Sequence, residues 1–143
     1  MNIGIIDIIK DIENLCNNIY FSIGPSHSEK VYQEILSLEL GLYGKSKNLN
    51  TVVQTEYHVP IYFKCCDNIE RRFGDERVDI LVSFNELNIV IELKAIKTCN
   101  ELDKCQLKKY KTSLEKIGIN VNATVLINFQ KSDTGNVIFI KEF

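Results

Sequence analysis

Two acidic residues and a lysine interrupt a strongly apolar stretch in the middle of the sequence. Asp79 follows Val78 directly, and Glu92 and Lys94 follow the apolar run at 89–91. Carboxylate oxygens bind hard divalent cations such as Mg²⁺, and a lysine ammonium orients water or stabilises developing negative charge. These residue types at this spacing point to metal-assisted chemistry at a phosphoryl centre.

A β-hairpin would bring these three side chains together. Two runs rich in β-branched residues flank a polar turn at 85–86, which predicts a pair of antiparallel strands. A turn centred there places Asp79 directly opposite Glu92, with Lys94 two residues further along the same face. Opposed like charges are destabilising, and a divalent cation would remove that penalty. A solvated Glu-x-Lys pair on an exposed strand is the alternative explanation, and spacing alone leaves both open.

Three segments of the sequence show the apolar spacing of helices. They cover about 3–19, a segment after the helix-breaking pair at 24–25, and 101–117. The second helix is expected to end near Gly41 or Gly44. Its apolar stripe is formed by four residues: Val31, Ile35, Leu38 and Leu42.

The remaining elements show the period-two alternation of strands, and Pro60 in the first of them marks an edge strand or a bulge. The element order α, α, β, β, β, α, β, β predicts an α/β domain with a mixed central sheet of four or five strands flanked by helices. The predicted strands cover 51–64, 77–84, 87–95, 122–129 and 137–140.

Length and composition limit the class of protein. The 143 residues, of which 45% are hydrophobic and 25% charged, predict one domain over 1–143, with a helix in 1–20 that packs on or extends the core. A net charge of −2 argues against a general electrostatic grip on nucleic acid or membrane, so any basic surface must be local. No run reaches the about 18 apolar residues of a membrane span, and no signal peptide is expected.

Cysteine usage indicates the compartment. The chain has 5 cysteines, an odd number, and none of them forms a CxxC pair. This pattern predicts reduced thiols in the cytoplasm or another reducing intracellular compartment.

Six short motifs occur in a fixed order along the chain, from Ile23 to Phe129. In this order they resemble the GxxExxY family of the PD-(D/E)XK nuclease superfamily, with one departure, Ser26 at the position of the first glycine. The motifs are Ile23-Gly-Pro-Ser-His-Ser-Glu-Lys-Val-Tyr32, Gln54 at the start of a strand, Val78-Asp-Ile-Leu-Val82, Val90-Ile-Glu-Leu-Lys94, Gln106 with Tyr110, and Leu126-Ile-Asn-Phe129.

This resemblance implies a restriction-endonuclease-like core and a Mg²⁺-dependent nuclease, with Mn²⁺ as a substitute, that hydrolyses phosphodiester bonds in nucleic acid, DNA being expected. It implies metal ligation by Asp79 and Glu92 with help from Glu29, and a role for Lys94 in positioning the attacking water. Two further residues would shape the pocket: Gln106 and Tyr110.

Each of these assignments has a structural alternative. Glu29 also fits a Ser-x-x-Glu capping box that begins at Ser26. Gln106 and Tyr110 also fit a polar residue at a helix edge and a core tyrosine. Lysines on and before the last helix and arginines before Asp79 could form a phosphate-facing rim or a balanced, solvated surface. They are Lys97, Lys104, Lys108, Lys109, Lys111, Lys116, Arg71, Arg72 and Arg77.

Two further functions stay open at this point. One is a non-catalytic, nuclease-like module that binds nucleic acid or a protein partner. The other is a structural oligomer, in which the isoleucine-rich N-terminal helix forms the interface of a homodimer. A homodimer is compatible with the nuclease as well, and no membrane partner is expected.

Overall fold

The computed structural model describes residues 3–132 and 135–143, which form three helices and one five-stranded sheet. The predicted bounds 1–143 and 1–20 include residues 1, 2, 133 and 134, which lie outside the described residues. In the described part of the chain, no helix has the length and apolar character to cross a membrane. The elements are α1 Ile5–Ile23, α2 Glu29–Ser46, β1 Thr51–Lys64, β2 Glu70–Phe84, β3 Leu87–Lys94, α3 Glu101–Lys116, β4 Ala123–Asn128 and β5 Ile138–Glu142.

The sheet follows the order of the sequence, β1-β2-β3-β4-β5. Neighbouring strands are antiparallel except β3 and β4, which are parallel and are connected through α3. A parallel pair requires such a crossover connection, since a tight turn can only join antiparallel strands. The predicted α/β architecture, with a mixed sheet flanked by helices, is confirmed.

An apolar layer fills the space between one face of the sheet and helices α1 and α2; we call it the α1/α2 layer. The N-terminal helix packs into this layer, and its buried residues recur at helical spacing, as the sequence predicts. Its isoleucine stripe is therefore used within the chain. Members of the layer include Ile8, Ile9, Ile12, Leu36, Leu40, Ile80, Ile89 and Ile127.

A smaller layer, the α3 layer, lies between the opposite face of the sheet and α3. Here the helix buries three residues against β2, β3 and β4. One of the three is a tyrosine, so this layer contains a polar group that needs a hydrogen-bond partner. Its members are Val59, Val78, Leu81, Val90, Leu107, Tyr110, Leu114, Val121 and Leu126.

The predicted stripe on α2 indicates the helix correctly, but three of its four members lie on the outer side. Val31, Leu38 and Leu42 are 37%, 65% and 52% exposed, whereas Ile35 is partly buried against the α1/α2 layer. The helix also continues past both glycines to Ser46. Apolar residues occupy two sides of α2, so periodicity alone cannot show which side is buried. The buried side is formed by Tyr32, Gln33, Leu36, Leu40, Tyr43 and Gly44.

The hairpin of β1 and β2 extends beyond the rest of the sheet. β2 begins at Glu70, earlier than predicted, and pairs with β1 along most of its length. β3 pairs with β2 only from Ile80 onwards. β1 is an edge strand, and its register shifts between Pro60 and Tyr62, as the proline predicts. The stretch of β2 before Ile80 is thus open on the side of β3.

Candidate active site

The register of the hairpin formed by β2 and β3 agrees with the sequence prediction as far as Ile80, the residue next to the predicted catalytic Asp79. Pairs from Ile80–Ile91 to Phe84–Leu87 have the predicted alignment, but the ladder ends there, and Asp79 and Glu92 are not ladder partners. Instead, Asp79 Oδ2 accepts a hydrogen bond from the Leu93 N–H at 2.8 Å. The two carboxyl groups are nevertheless adjacent and linked by a side-chain hydrogen bond, so they face one another although no ladder bond joins the two residues. The strands separate at this point, and a side chain takes over a bond that the ladder would have made.

A cavity of about 300 Å³ opens where the strands separate. It is bounded by the N-terminus of α2, the middle of β2, the C-terminal end of β3, and one side of α3. All six residues that the sequence singles out line this cavity, together with three others. The lining residues are Glu29, Glu76, Arg77, Asp79, Glu92, Leu93, Lys94, Gln106 and Tyr110.

Glu92 is the most deeply buried acidic group of this cavity, with an exposed fraction of 4%. Burial raises the pKa of Glu92 far above its ordinary value of 4.5, and the adjacent carboxyl group of Asp79 raises it further. The hydrogen bond from Tyr110 and the charge of Lys94 oppose this shift without cancelling it. In the absence of a cation, this environment therefore favours the protonated form of Glu92 over the carboxylate.

Tyr110 connects α3 to this buried carboxyl group. Its hydroxyl oxygen lies 3.1 Å from Glu92 Oε2 and 3.0 Å from the carbonyl oxygen of Arg77, and it accepts a hydrogen bond from Gln106 Nε2 at 2.7 Å. Burial, and then the charge of Glu92, raise the pKa of Tyr110. Tyr110 is both a core residue and a cavity residue, so the two interpretations of the sequence hold together for this side chain.

Lys94 is held by the first turn of α3. Its Nζ lies 3.9 Å from Asp103 Oδ1, while Asp103 Oδ2 accepts from the N–H of Asn100 at 2.9 Å. Asn100 returns the bond, because its side chain accepts from the Asp103 N–H at 3.1 Å. This capping box fixes the orientation of the Asp103 carboxylate. The lysine therefore lies between a structural carboxylate and the acidic cavity.

The capping box predicted from Ser26 to Glu29 is absent. The N-cap residue of α2 is Ser28, whose side chain accepts from the Val31 N–H at 3.4 Å. Glu29 is the first residue of the helix, and its side chain lines the cavity. The pattern Ser-x-x-Glu placed the helix start two residues too early. The structure thus leaves the carboxylate of Glu29 available to the cavity.

Tyr32 anchors the loop that precedes Glu29. Its hydroxyl donates to the carbonyl oxygen of Gly24 at 2.7 Å, and its ring stacks on Phe129, with centroids 4.1 Å apart and planes 6° apart. Within this loop, Ser26 has a φ of +73°. This left-handed conformation favours glycine over residues that carry a Cβ.

Asn128 fixes the chain that leaves β3 after Lys94. Its side chain accepts from the Ile96 N–H at 3.1 Å and donates to the Ile96 carbonyl oxygen at 3.0 Å. The Phe129 N–H donates to the carbonyl oxygen of Lys94 at 2.8 Å. These hydrogen bonds satisfy the buried side chain of Asn128 and hold the end of β3, the strand that carries Glu92 and Lys94.

Three residues of the cavity are not among the six site residues predicted from the sequence: Glu76, Arg77, which is considered only for the basic rim, and Leu93, whose N–H donates a hydrogen bond to Asp79. Arg77 precedes Asp79 by two positions, so strand alternation places both on one face and could have indicated it. Glu76 has no such signal, because alternation assigns it to the opposite face. In the structure Glu76 forms an ion pair with Lys109, 3.4 Å apart, and its Oε2 is buried without a hydrogen-bond partner among residues 3–132 and 135–143.

Most of the basic residues considered as a phosphate-facing rim are paired with carboxylates. Such pairs on the surface are individually weak and leave a balanced charge pattern. Arg77 is the member of the set that lines the cavity, where it lies 3.9 Å from Glu56. The other pairs are Arg71–Asp67, Arg72–Asp75, Lys104–Glu101, Lys109–Glu76 and Lys116–Glu70.

The cavity provides few ligands for a metal ion. Within the described ranges, no three His, Cys, Asp or Glu side chains are arranged as a ready-made metal site. Asp79 and Glu92 nevertheless supply two adjacent carboxyl groups, and Glu29 a third on the cavity wall. Mg²⁺ is usually held by one or two carboxylates and several waters, so this donor set fits it better than a metal that demands a full protein cage.

Comparison with known families gives one match. A model of the PD-(D/E)XK nuclease superfamily matches residues 6–139, nearly the whole chain. Comparison with curated proteins gives no significant match. The five-stranded mixed sheet with its flanking helices agrees with the restriction-endonuclease-like fold of that superfamily.

Proposed function

The chain belongs to the PD-(D/E)XK nuclease superfamily, and from this premise we propose that it is a Mg²⁺-dependent nuclease that hydrolyses phosphodiester bonds in DNA. One observation supports the proposal above all. A single cavity brings together Glu29 from α2, Asp79 from β2, and Glu92 and Lys94 from β3. These residues come from three different elements, and the packing of apolar side chains does not explain why four charged groups converge there.

Asp79 and Glu92 would hold the cation, with Glu29 as an additional acidic contributor. The raised pKa of Glu92 supports this assignment, because burial next to a second carboxylate is costly without a compensating charge. When bound, Mg²⁺ would supply charge stabilisation at a phosphoryl oxygen and a more acidic water. Mn²⁺ accepts the same oxygen ligands and should substitute for it.

Lys94 would orient the attacking water and balance negative charge at the reacting phosphate. Its link to Asp103 fixes the direction from which the ammonium approaches the cavity. Gln106 and Tyr110 would shape the wall next to Glu92, where the Gln106–Tyr110 hydrogen bond limits the rotation of both side chains. These roles require positioning rather than covalent participation by the protein.

Membership of the GxxExxY group is the finer part of the proposal. The left-handed φ of Ser26 and the contacts of Tyr32 give a physical reason for two positions of that pattern. We also retain as predictions a single domain over 1–143, a reducing intracellular compartment for the five unpaired cysteines, and a homodimer. The interface of such a dimer would have to differ from the isoleucine stripe of α1, which the chain itself covers.

A non-catalytic module that binds nucleic acid or a protein partner is the second candidate. One observation favours it: Asp79 Oδ2 is engaged by the Leu93 N–H, and Lys94 by Asp103, so two of the four charged groups already have structural partners. In that case the cavity would be a stabilised remnant of the nuclease site. The two candidates differ in turnover, and a single pair of variants separates them.

The test compares Asp79→Asn with Asp75→Asn. Both changes replace a carboxylate of β2 by an amide, and an amide oxygen at position 79 still accepts from the Leu93 N–H. Asp75 lies outside the cavity and pairs with Arg72. Mg²⁺ and Mn²⁺ binding is measured by calorimetry, and cleavage is measured on single-stranded, double-stranded and branched DNA and on RNA.

The nuclease proposal expects metal binding and cleavage by the wild type and by Asp75→Asn, and the loss of both in Asp79→Asn. Cleavage of RNA but not DNA would contradict the proposed substrate. Tight oligonucleotide or protein binding with metal present and no turnover on any substrate would support the module instead. A wild-type protein that neither binds metal nor cleaves any substrate would overturn the nuclease.

A further inference from the structure

A second hollow adjoins the acidic cavity and shares one wall with it. Its volume is about 320 Å³, and Glu76 lines both spaces. The rest of the hollow is formed by α3 and by Ile61 of β1. The residues of α3 in its lining are Lys108, Lys109, Thr112 and Ser113.

These α3 residues form one side of the helix. Lys108 and Thr112 are four residues apart, as are Lys109 and Ser113, so the side chains follow one another along the helix. The two lysine ammonium groups and the Ser113 hydroxyl are groups that bind phosphate oxygens, whereas the Thr112 hydroxyl donates to the carbonyl oxygen of Lys108 at 3.0 Å. The net charge of the chain is negative, so a local site of this kind is where a polyanion would be held.

Glu76 separates this hollow from the acidic cavity. Its Oε1 lies 3.4 Å from Lys109 Nζ, and its Oε2 is buried and has no hydrogen-bond partner in the described part of the chain. The side chain of Lys109 is 67% exposed, so its ammonium is accessible to a ligand. An approaching phosphate would compete with Glu76 for the same ammonium group.

We propose that the hollow binds a phosphate of the nucleic-acid backbone next to the scissile bond, and that Glu76 occupies Lys109 until the substrate arrives. The inference rests on the proposed function and names a subsite for its substrate. Glu76 acts here as a positioning residue that works through Lys109. Its carboxylate lowers the affinity for the polyanion, whereas Lys109 raises it, so opposite effects are expected from their removal.

The chain contains a matched control for this pair. Glu70 and Lys116 form a second ion pair between β2 and α3, with Nζ and Oε1 3.3 Å apart. Neither residue lines the hollow or the acidic cavity. Changes in this second pair therefore report on the loss of a β2–α3 ion pair without a change in the proposed phosphate site. Glu70→Gln removes the ion pair alone, whereas Lys116→Ala also removes the hydrogen bond from Lys116 Nζ to the carbonyl oxygen of Tyr62 at 3.0 Å.

The experiment measures the affinity for fluorescent single- and double-stranded oligonucleotides by anisotropy, with EDTA present and over a series of salt concentrations. Glu76→Gln should tighten binding by about fivefold, the effect of one unit charge at contact distance in water. Lys109→Ala should weaken binding and reduce the slope of log K against log salt by about one. Glu70→Gln and Lys116→Ala should leave both quantities unchanged.

Cleavage kinetics give an independent measurement. With Mg²⁺ present, Lys109→Ala should raise KM more than it lowers kcat, because the phosphate contact is formed in the bound substrate as well as in the transition state. The subsite would be overturned if substitutions in the Glu70–Lys116 pair changed oligonucleotide affinity as much as those in the Glu76–Lys109 pair, or if Glu76→Gln weakened oligonucleotide binding. The nuclease proposal would stand in either case. Failure of the wild type to bind any oligonucleotide would overturn the subsite, whereas the absence of metal binding and of cleavage on every substrate would overturn the nuclease proposal and the subsite with it.

Discussion

The α1/α2 layer and the α3 layer enclose the same sheet but have different contents. The first consists of apolar side chains and three tyrosines, one of which, Tyr43, donates to Asp11 at 2.6 Å, and its helix α2 also buries the neutral side chain of Gln33. The second buries Tyr110 next to Glu92 and ends at the acidic cavity. The difference indicates that the α1/α2 layer supplies most of the folding stability. The α3 layer is less stabilising because it contains a charged site.

The largest effect is expected on catalysis, from a change in the α3 layer. Glu92→Gln keeps the shape of the side chain but removes a metal ligand. Several kcal/mol of charge stabilisation correspond to a loss of about 1000-fold in the metal-dependent cleavage rate. Folding stability at pH 8 should not decrease, because the variant removes a buried ionisable group. Single-turnover kinetics measure the cleavage rate, and chemical denaturation measures the folding stability. A parallel loss of rate and stability would contradict the conclusion that the α3 layer serves the site and the α1/α2 layer supplies most of the stability.

The second effect is on stability, from a change in the α1/α2 layer. Leu36 is fully buried, and Leu36→Ala should lower the free energy of unfolding by about 2–5 kcal/mol. Leu38 lies two residues later and is 65% exposed, so Leu38→Ala should change it by less than about 0.5 kcal/mol. Urea denaturation measures both. Metal affinity of the folded Leu36→Ala protein should match that of the wild type, and a large drop would show that the layers are not independent.

The third prediction concerns pH. The folded metal-free protein holds a proton on Glu92 that the unfolded chain releases above its ordinary pKa of 4.5. Stability should therefore be fully present at low pH and fall as the pH rises towards the raised folded pKa, by at most about 1.4 kcal/mol per pH unit. Denaturation of the metal-free protein from about pH 5 to pH 8 measures this slope. The contribution of other titrating groups is subtracted by comparison with a variant that lacks the Glu92 carboxyl group.

The control for the pH effect is the same substitution at two positions. Glu92→Gln should flatten the decrease in stability with pH. Glu86→Gln, in the exposed turn between β2 and β3, should retain it. Saturating Mg²⁺ should reverse the trend, because the cation binds the deprotonated form. A wild-type slope equal to that of Glu92→Gln would contradict the buried protonated state.

The smallest effect is expected in the loop before α2. Ser26 adopts a φ of +73°, so Ser26→Gly should raise the free energy of unfolding by about 0.5–1 kcal/mol, the difference between relieved backbone strain and added chain entropy. Ser26→Ala retains a Cβ and should give no gain. Thermal denaturation of both variants distinguishes a backbone effect from the loss of the serine hydroxyl.

Much of the fold could be predicted because its patterns are local. The alternation in β1, the turn at 85–86 and the helical spacing in α1 and α3 each depend on neighbours a few residues away. The buried side of α2 could not be predicted, because Leu36 and Leu38 are equally apolar and only contact with the sheet distinguishes them.

The residues of the candidate site could also be selected from the sequence, since Asp79 and Glu92 interrupt apolar runs, where a charge has no packing role. Their geometry could not. The sequence predicts a ladder pair, whereas the strands separate and Asp79 bonds to the backbone of Leu93 instead. Glu76 was missed because strand alternation points it away from the site that it lines.

The sequence by itself determined which residue types are present and which short elements carry them, because helix and strand periodicity are properties of neighbouring residues. Only the tertiary structure decided which charged groups meet. Where β2 leaves the ladder with β3, side chains from α2, β2, β3 and α3 enclose one cavity, and burial of Glu92 beside the carboxyl group of Asp79 raises the pKa of Glu92. The burial of a side chain and the convergence of several side chains depend on contacts between distant parts of the chain. No local sequence pattern therefore predicts them.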